Sequence, residues 1–492
     1  MRPNIVYILA DDLGYGDLGC NNPAGRVPTP NLDRLARDGM RFTDAHAASS
    51  VCTPSRYSIL TGRYAWRSRL TRGIVWQWDG SLIEPDRLTV AELLRGEGYR
   101  TACLGKWHLG WDWPTLNGAH PNETLPFGLR NKDLAEVRHR FGIEQIDYAG
   151  RLGGGPVDRG FDSYFGVDVP NFPPYAWFRD DRLVEQPTQD KPPEMYGEPG
   201  RMCAGWKFEK MIPELTRRAV ELVTEQGTAQ AAGEGAPFFL YVPLTSPHSP
   251  IVPNEQFRGM SGIGAYGDFV CEVDWVVGRI DEALERAGMR DRTLLSVTSD
   301  NGPEDRTRDD EGVYERARVR DHYSMGPLRG IKRDAWEGGH RVPFIASWPG
   351  VIPPGSRCDQ LIGLWDLMAT CAELTGVELP DRVAEDSVSI LPLLRGELER
   401  PVREFAIHHS ASGKFAVRRR EWILIDAPDG ADNVEPEWFR AERGYSPHGH
   451  PGELYDLSDD VSQRVNRYAS EPDLVAEFLR LLRLVRQADS TR

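Results

Sequence analysis

The stretch Ile5-Val6-Tyr7-Ile8-Leu9-Ala10-Asp11-Asp12-Leu13-Gly14-Tyr15-Gly16 decides the fold. Residues 5–10 form an apolar run with no polar alternation. Such a run reads as a strand buried on both faces, as in a parallel sheet covered by helices. Two carboxylates follow at once, then Gly14 and Gly16. Neighbouring strand residues point to opposite faces, so Asp11 and Asp12 converge only if the backbone turns there. Ligands of open α/β sheets bind at the carboxyl ends of strands, and adjacent oxygen donors suit Ca²⁺ or Mg²⁺. Asp-Asp-x-Gly is also an ordinary turn, so this stretch alone does not establish a site.

Outward from this strand, short apolar runs alternate with helical stretches. Residues 101–104 follow the amphipathic segment 89–98, residues 238–242 follow 213–226, and residues 294–299 follow 269–287; residues 344–348 are a further run. All read as buried parallel strands, and the alternation predicts an α/β sheet covered on both faces. From about residue 385 the style changes. Residues 414–425 read as a hairpin with Arg418-Arg419-Arg420 near its turn, residues 453–457 as a short strand, and residues 473–487 as an amphipathic helix. We therefore expect a main domain over 1–384 and a smaller α+β module over 385–492. Two irregular stretches, 131–160 and 170–205, fit either binding loops or surface insertions. The Ala/Gly stretch 227–235 reads as a flexible connector.

A second acidic cluster, Ser299-Asp300-Asn301-Gly302, ends another apolar strand, again with oxygen donors ahead of a glycine that permits a sharp turn. Two such clusters exceed what turn chemistry usually explains. In Cys52-Thr53-Pro54-Ser55-Arg56, Thr53 before Pro54 reads as a helix N-cap followed by proline in the first turn. Cys52 then sits at a helix N-terminus, where an anion is stabilised. That position suits a reactive thiolate, or simply a buried small side chain.

Composition sets bounds. The chain has 492 residues, 40% hydrophobic and 27% charged, which is ordinary for a globular protein of this size. A net charge of −15 argues against a nucleic-acid partner, and no apolar run approaches membrane-spanning length. Without a signal-like segment before residue 5, the expected location is cytoplasmic. The seven cysteines show no CxxC pair or zinc-like spacing, and read as reduced thiols.

Cys52-Thr53-Pro54-Ser55-Arg56, with Thr61-Gly62 beyond it, resembles the motif of the sulfatase family. Gly105-Lys106-Trp107-His108-Leu109-Gly110, Pro247-His248-Ser249-Pro250 and Gly330-Ile331-Lys332 with Glu337-Gly338-Gly339 resemble further blocks of that family, in its order. The resemblance implies an alkaline-phosphatase-like α/β sandwich that hydrolyses sulfate esters. It implies conversion of Cys52 to formylglycine by a formylglycine-generating enzyme, and Ca²⁺ (Mg²⁺ less so) held by Asp11, Asp12, Asp300, Asn301 and an oxygen of residue 52. Arg56, Lys106 and Lys332 are expected to meet the sulfuryl oxygens, His248 to protonate the leaving oxygen and His108 to accept a proton from residue 52. His340 and Arg341 are weaker candidates for substrate contact, and His46 is expected to pack locally. Trp107, Trp336 and Trp348 are expected in the core or pocket wall. The block from Gly160 to Asn171 offers no assignable counterpart for an extra sulfate-binding group. A sulfated small molecule or glycan is the expected substrate. The alternatives are a phosphonate monoester or phosphodiester hydrolase of the same fold, and a non-catalytic sulfoglycan-binding protein.

Overall fold

The computed structural model describes residues 2–129, 132–305 and 311–491. The strand Asn4–Asp11 is buried at every position. Its alternate side chains feed two separate cores. Ile5, Tyr7 and Leu9 pack with Tyr57, Ile59 and Met368, whereas Val6, Ile8 and Ala10 pack with Leu215, Val273 and Val277. The helices Cys52–Thr61, Val90–Gly96 and Leu367–Thr375 thus cover one face, and Pro30–Asp38, Met211–Ala231 and Ala265–Arg286 the other. This is the three-layer α/β sandwich expected of a strand apolar on both sides.

Asn4–Asp11 pairs in parallel with Phe238–Pro247 and with Thr293–Ser299. Arg100–Lys106 and Ser163–Val167 extend the parallel region. Phe344–Ser347, expected as another parallel strand, instead runs antiparallel to Thr293–Ser299. The reason lies in the connection. After Ser299 the chain stays at the carboxyl edge, where Gly302 N donates to Gly339 O (2.9 Å) and Lys332 N to Pro303 O (3.0 Å). The next strand then starts at that edge and runs back, and the connection carries Lys332 to Asp12.

Three other expectations are revised. The stretch 227–235 is no plain connector: the helix Met211–Ala231 runs into it, with Gly227 buried. A Cβ there would fall 2.6 Å from Ala287 Cβ, so glycine lets this helix approach the end of its neighbour. Within 131–160 a helix spans Lys132–Glu144; Asn131 lies outside the described residues. The C-terminal hairpin, Phe415–Arg419 with Trp422–Ile425, and the strand Glu453–Asp456 form as expected, but Phe405–His409 joins them to make a four-stranded antiparallel sheet. The helix Pro472–Gln487 covers it through Val475, Phe478, Leu482 and Val485. No helix among the described residues is long and apolar enough to cross a membrane.

Candidate active site

The carboxyl edge of the central strands gathers the predicted carboxylates. A register shift between Leu9 and Asp11 and a left-handed Asp12 (φ 69°) supply the turn that brings Asp11 and Asp12 to one place. Asp300 and Asn301 follow the adjacent strand; Asn301 Nδ2 donates to Asp12 Oδ1 at 2.7 Å. Asp11, Asp12, Asp300 and Asn301 are all 0% exposed.

Three cations neutralise this cluster. Lys106 ends the strand Arg100–Lys106 and donates through Nζ to Asp11 Oδ2 at 2.6 Å. Gly105 makes room for that bend: a Cβ there would lie 1.8 Å from Pro243 O. Lys332 Nζ donates to both oxygens of Asp12, at 2.6 and 2.8 Å. Arg56 points from its helix onto Asp300 at 2.9 Å through Nε, with Nη1 donating to Lys106 O. Burial opposes ionisation of Asp11, but Lys106, His248 and Arg56 hold its pKa well below the ordinary value. Asp12 is lowered too: burial, the largest influence, raises it, but Lys332 and His248 together lower it by more. Asp300 is pushed far up, by burial and then by Asp11, in spite of Arg56.

In front of the cluster lies a cavity of about 360 Å³. Cys52, His108, His248 and Lys332 line it; Arg56 and Lys106 do not. Arg56 and Lys106 are engaged with Asp300 and Asp11, whereas Lys332 both bonds Asp12 and lines the cavity. The helix Cys52–Thr61 begins at Cys52 itself, with Val51 as N-cap. Thr53 is not the cap: its Oγ1 accepts from Val75 N at 3.2 Å. Cys52 is 2% exposed and lies within electrostatic reach of Arg56, Asp300 and Lys332.

The two histidines present defined ring edges. His108 Nε2 meets Val75 O at 3.1 Å, so that nitrogen carries the proton and Nδ1 is left as a buried lone pair without a partner. His248 Nδ1 meets Ser249 O at 2.6 Å, which leaves Nε2 facing Asp12 Oδ2 at 3.9 Å. Both pKa values are lowered to about 3. Burial is the main cause for each, followed by Lys106 for His108; for His248 Asp11 pulls the other way.

Sequence reasoning missed the rest of the cavity. Asp168 accepts from His108 N (3.2 Å) and Trp111 Nε1 (3.1 Å), fixing the loop that carries His108. Trp76 stacks on Phe172 with centroids 5.3 Å apart. Asn171, Glu198, Glu304 and Arg333 add polar groups, with Arg333 Nη1 donating to Glu304 Oε1 at 2.8 Å. Asp168 and Asn171 lie in the block for which the motifs offered no assignment. Through Asn171, Phe172 and Glu198 the insertion 170–205 forms part of the cavity wall.

His340 and Arg341 do not reach the cavity. His340 is fully buried against His46, with the two Nδ1 atoms 3.0 Å apart. Arg341 turns to Glu337 (3.1 Å) and Asp44 (3.5 Å). His46 packs locally as expected, its Nε2 2.9 Å from Asp44 Oδ1.

Besides Asp44, His46 and Glu337, whose carboxylates pair with Arg341 and Arg418, two groups among the described residues bring metal-ligating atoms together. Donor atoms of His46, His340 and His408 lie within 4.8 Å of one another. However, the rings of His340 and His408 are stacked, 4.1 Å apart and 7° from parallel. An imidazole binds a metal through an in-plane lone pair at about 2 Å, and stacked rings direct their lone pairs into separate planes. Asp11, Asp12 and His248 form the other group. There Asp11 Oδ1 and Asn301 Oδ1 are buried with no hydrogen-bond donor, and the donors are mostly hard oxygens. That set fits a divalent cation.

A strand-end carboxylate cluster thus lies behind a cavity lined by Cys52 at a helix N-terminus and by two histidines, an arrangement suited to ester hydrolysis. The sulfatase family model matches residues 3–377. An N-acetylgalactosamine-6-O-sulfatase of Bacteroides thetaiotaomicron is 34% identical over 99% of this chain and 93% of its own length. A solved structure from work on glycosaminoglycan metabolism by the same organism superposes with a TM-score of 0.80 at 31% identity, covering 99% of this chain and all of the other. A phosphonate monoester hydrolase of Agrobacterium radiobacter shares the fold at TM-score 0.59 and 19% identity, over 99% and 96% of the two chains. The chain belongs to the sulfatase family and is a sulfuric ester hydrolase of alkaline-phosphatase-like fold.

Proposed function

We propose that this sulfatase removes sulfate from a sulfated carbohydrate. The observation that carries the reading is the cavity itself. Cys52, His108, His248 and Lys332 line it together with Asn171, Glu198, Glu304 and Arg333 and the stacked pair Trp76 and Phe172. Polar groups spread around an aromatic platform suit a hydroxylated ring better than a flat apolar one. The sugar sulfatase named above, 34% identical, supports the same substrate class.

Asp11, Asp12, Asp300 and Asn301, with an oxygen of residue 52, would hold Ca²⁺, which favours many oxygen ligands, over Mg²⁺. When present, the cation neutralises charge at the sulfuryl oxygens, and formylglycine at position 52 supplies the attacking hydroxyl. Lys332 meets the sulfuryl group from the cavity wall. Arg56 and Lys106 keep the carboxylates ionised and aligned. His248, held through Nδ1, carries a proton at Nε2 to the leaving oxygen. His108, held through Nε2 and by Asp168, accepts one at Nδ1. The anionic ester raises both histidine pKa values from their low resting level. We assign this chemistry to residues 1–384 and a supporting role to 385–492. The maturation partner is a formylglycine-generating enzyme.

Mass spectrometry of the peptide covering residues 42–56, from protein made alongside that enzyme, tests the nucleophile. Unmodified Cys52 in protein that still turns over sulfate esters rules the mechanism out. Matched assays then test the substrate. We expect a 6-O-sulfated N-acetylgalactosamine to outperform the equivalent phosphonate monoester, and the reverse order selects the rival reading. His248→Ala should slow esters with poor leaving groups far more than activated aryl sulfates; equal losses would remove its role as acid.

A further inference from the structure

Arg63, Arg67, Arg72, Arg87, Arg382 and Arg486 converge on a second cavity, of about 650 Å³. Only two carboxylates, Glu385 and Asp489, line it with them. This excess of positive charge stands in a chain of net charge −15. Part of it is neutralised nearby: Arg67 forks onto Asp386 at 2.9 and 3.0 Å, and Arg87 bonds Glu385 at 2.8 Å. Arg72, Arg382 and Arg486 form no ion pair among the described residues. Another arginine-rich cavity, beside Arg418, Arg419 and Arg420, sets six arginines against four carboxylates, so its excess of positive charge is smaller.

The cavity also has an aromatic floor. Trp66 meets Phe415 edge-on at 5.7 Å, with Arg67 over Trp66 and Arg486 over Phe415. Trp66 Nε1 is buried with no acceptor. Guanidinium forks match the oxygens of a sulfate, and with Tyr64 and Arg67 on Trp66 and Arg486 on Phe415 the rings are covered, so the arginines are what a ligand there meets.

Its position joins it to the catalytic cavity. Thr71 and Arg72 line the arginine cavity, while the next residues, Gly73 and Ile74, line the catalytic one. Ser412 and Gly413 line the first, and Ala411 the second. Gly73 N donates to Ala411 O at 2.9 Å, so the two segments form one shared wall.

We propose that the arginine cavity binds a second sulfate of the same glycan, on a sugar beyond the one being desulfated. The enzyme then prefers multiply sulfated oligosaccharides. This rests on the carbohydrate reading above, and the test separates the two. Arg72→Glu and Arg382→Glu are combined, since both side chains are exposed and unpaired. Two tetrasaccharides are compared, each with a terminal sulfate ester and only one with a second sulfate, alongside a small aryl sulfate. The variant should lose about tenfold in kcat/KM on the doubly sulfated chain, through KM, and little on the other two. The loss should shrink as added salt screens the contact. No loss, or equal loss on both tetrasaccharides, overturns the proposal. If wild type cleaves the aryl sulfate and neither tetrasaccharide, the carbohydrate reading fails by itself. Direct binding of the doubly sulfated chain at low salt then decides the cavity. Weaker binding by the variant upholds it, and equal binding, or displacement by inorganic sulfate alone at low concentration, rejects it.

Discussion

Two buried clusters of ionisable groups flank the segment 46–52, and they are built in opposite ways. On one side Asp11, Asp12 and Asp300 are matched by Arg56, Lys106 and Lys332, yet Asp11 Oδ1 and Asn301 Oδ1 have no donor and a cavity opens in front. On the other, His340 and His408 stack face to face with His46 tilted against both, and Asp44 is held by Arg418 (3.1 Å) and His46. His46, His340 and His408 are each 0% exposed. Burial and charge are common to both. What separates a reactive cluster from a structural one is the pairing of unsatisfied atoms with open space.

The sharpest way to break this contrast is to remove one atom from each side. Cys52→Ala should lower kcat by at least about 10⁴-fold while leaving the thermal midpoint nearly unchanged; retained turnover would mean the cavity is not the reaction site. Stripping divalent cations with a chelator should come next in size. Stability should fall and return with Ca²⁺, by about 4 kcal/mol when the ion exceeds its Kd a thousandfold. The same increment in a His408→Ala background would place the ion away from the histidines.

A third probe is pH. Burial lowers His340 and His408 well below the ordinary value, and His409 to about 4. Groups depressed on folding contribute stability that is present above about pH 6.5 and is lost as the pH falls, for His409 down to about 4. In that window the unfolded chain takes up protons that the folded chain refuses. Denaturant titrations should show stability dropping by about 1.4 kcal/mol per pH unit for each such histidine. A flat profile would contradict the neutral, sealed stack. The smallest effect is expected for His408→Ala: a loss of about 2 kcal/mol of stability, with kcat per folded molecule unchanged.

Much of this was legible from the chain because local and global signals agree at the strand ends. Residues 5–10 announce a doubly buried strand, and Asp11, Asp12, Asp300 and Asn301 sit where such strands end. Cys52, His108, His248 and Lys332 were found through short motifs. Asp168, Trp76, Asn171 and Arg333 were not, because their meaning depends on which loop folds over the sheet, and irregular segments carry no periodicity to read. The strand Phe405–His409 was missed for a related reason: its buried histidines look polar in sequence, and only stacking against His46 and His340 makes them core. The antiparallel turn of Phe344–Ser347 was likewise hidden, since an apolar run does not state its direction.

The wall around Cys52 also has a consequence in time. Ser50 N donates to His409 O at 3.1 Å, and Arg333 N to Ser50 O at 2.8 Å. The loop beside a thiol that is 2% exposed is therefore clamped by residues far downstream. During translation at ordinary speeds, about 20 to 70 s separate the emergence of position 52 from that of position 409. Any catalyst that oxidises Cys52 has that interval of open access. Under the formylglycine mechanism proposed above, the later arrival of the C-terminal sheet would act as a clock on activation, and slowing synthesis beyond residue 52 should raise the fraction of molecules born active.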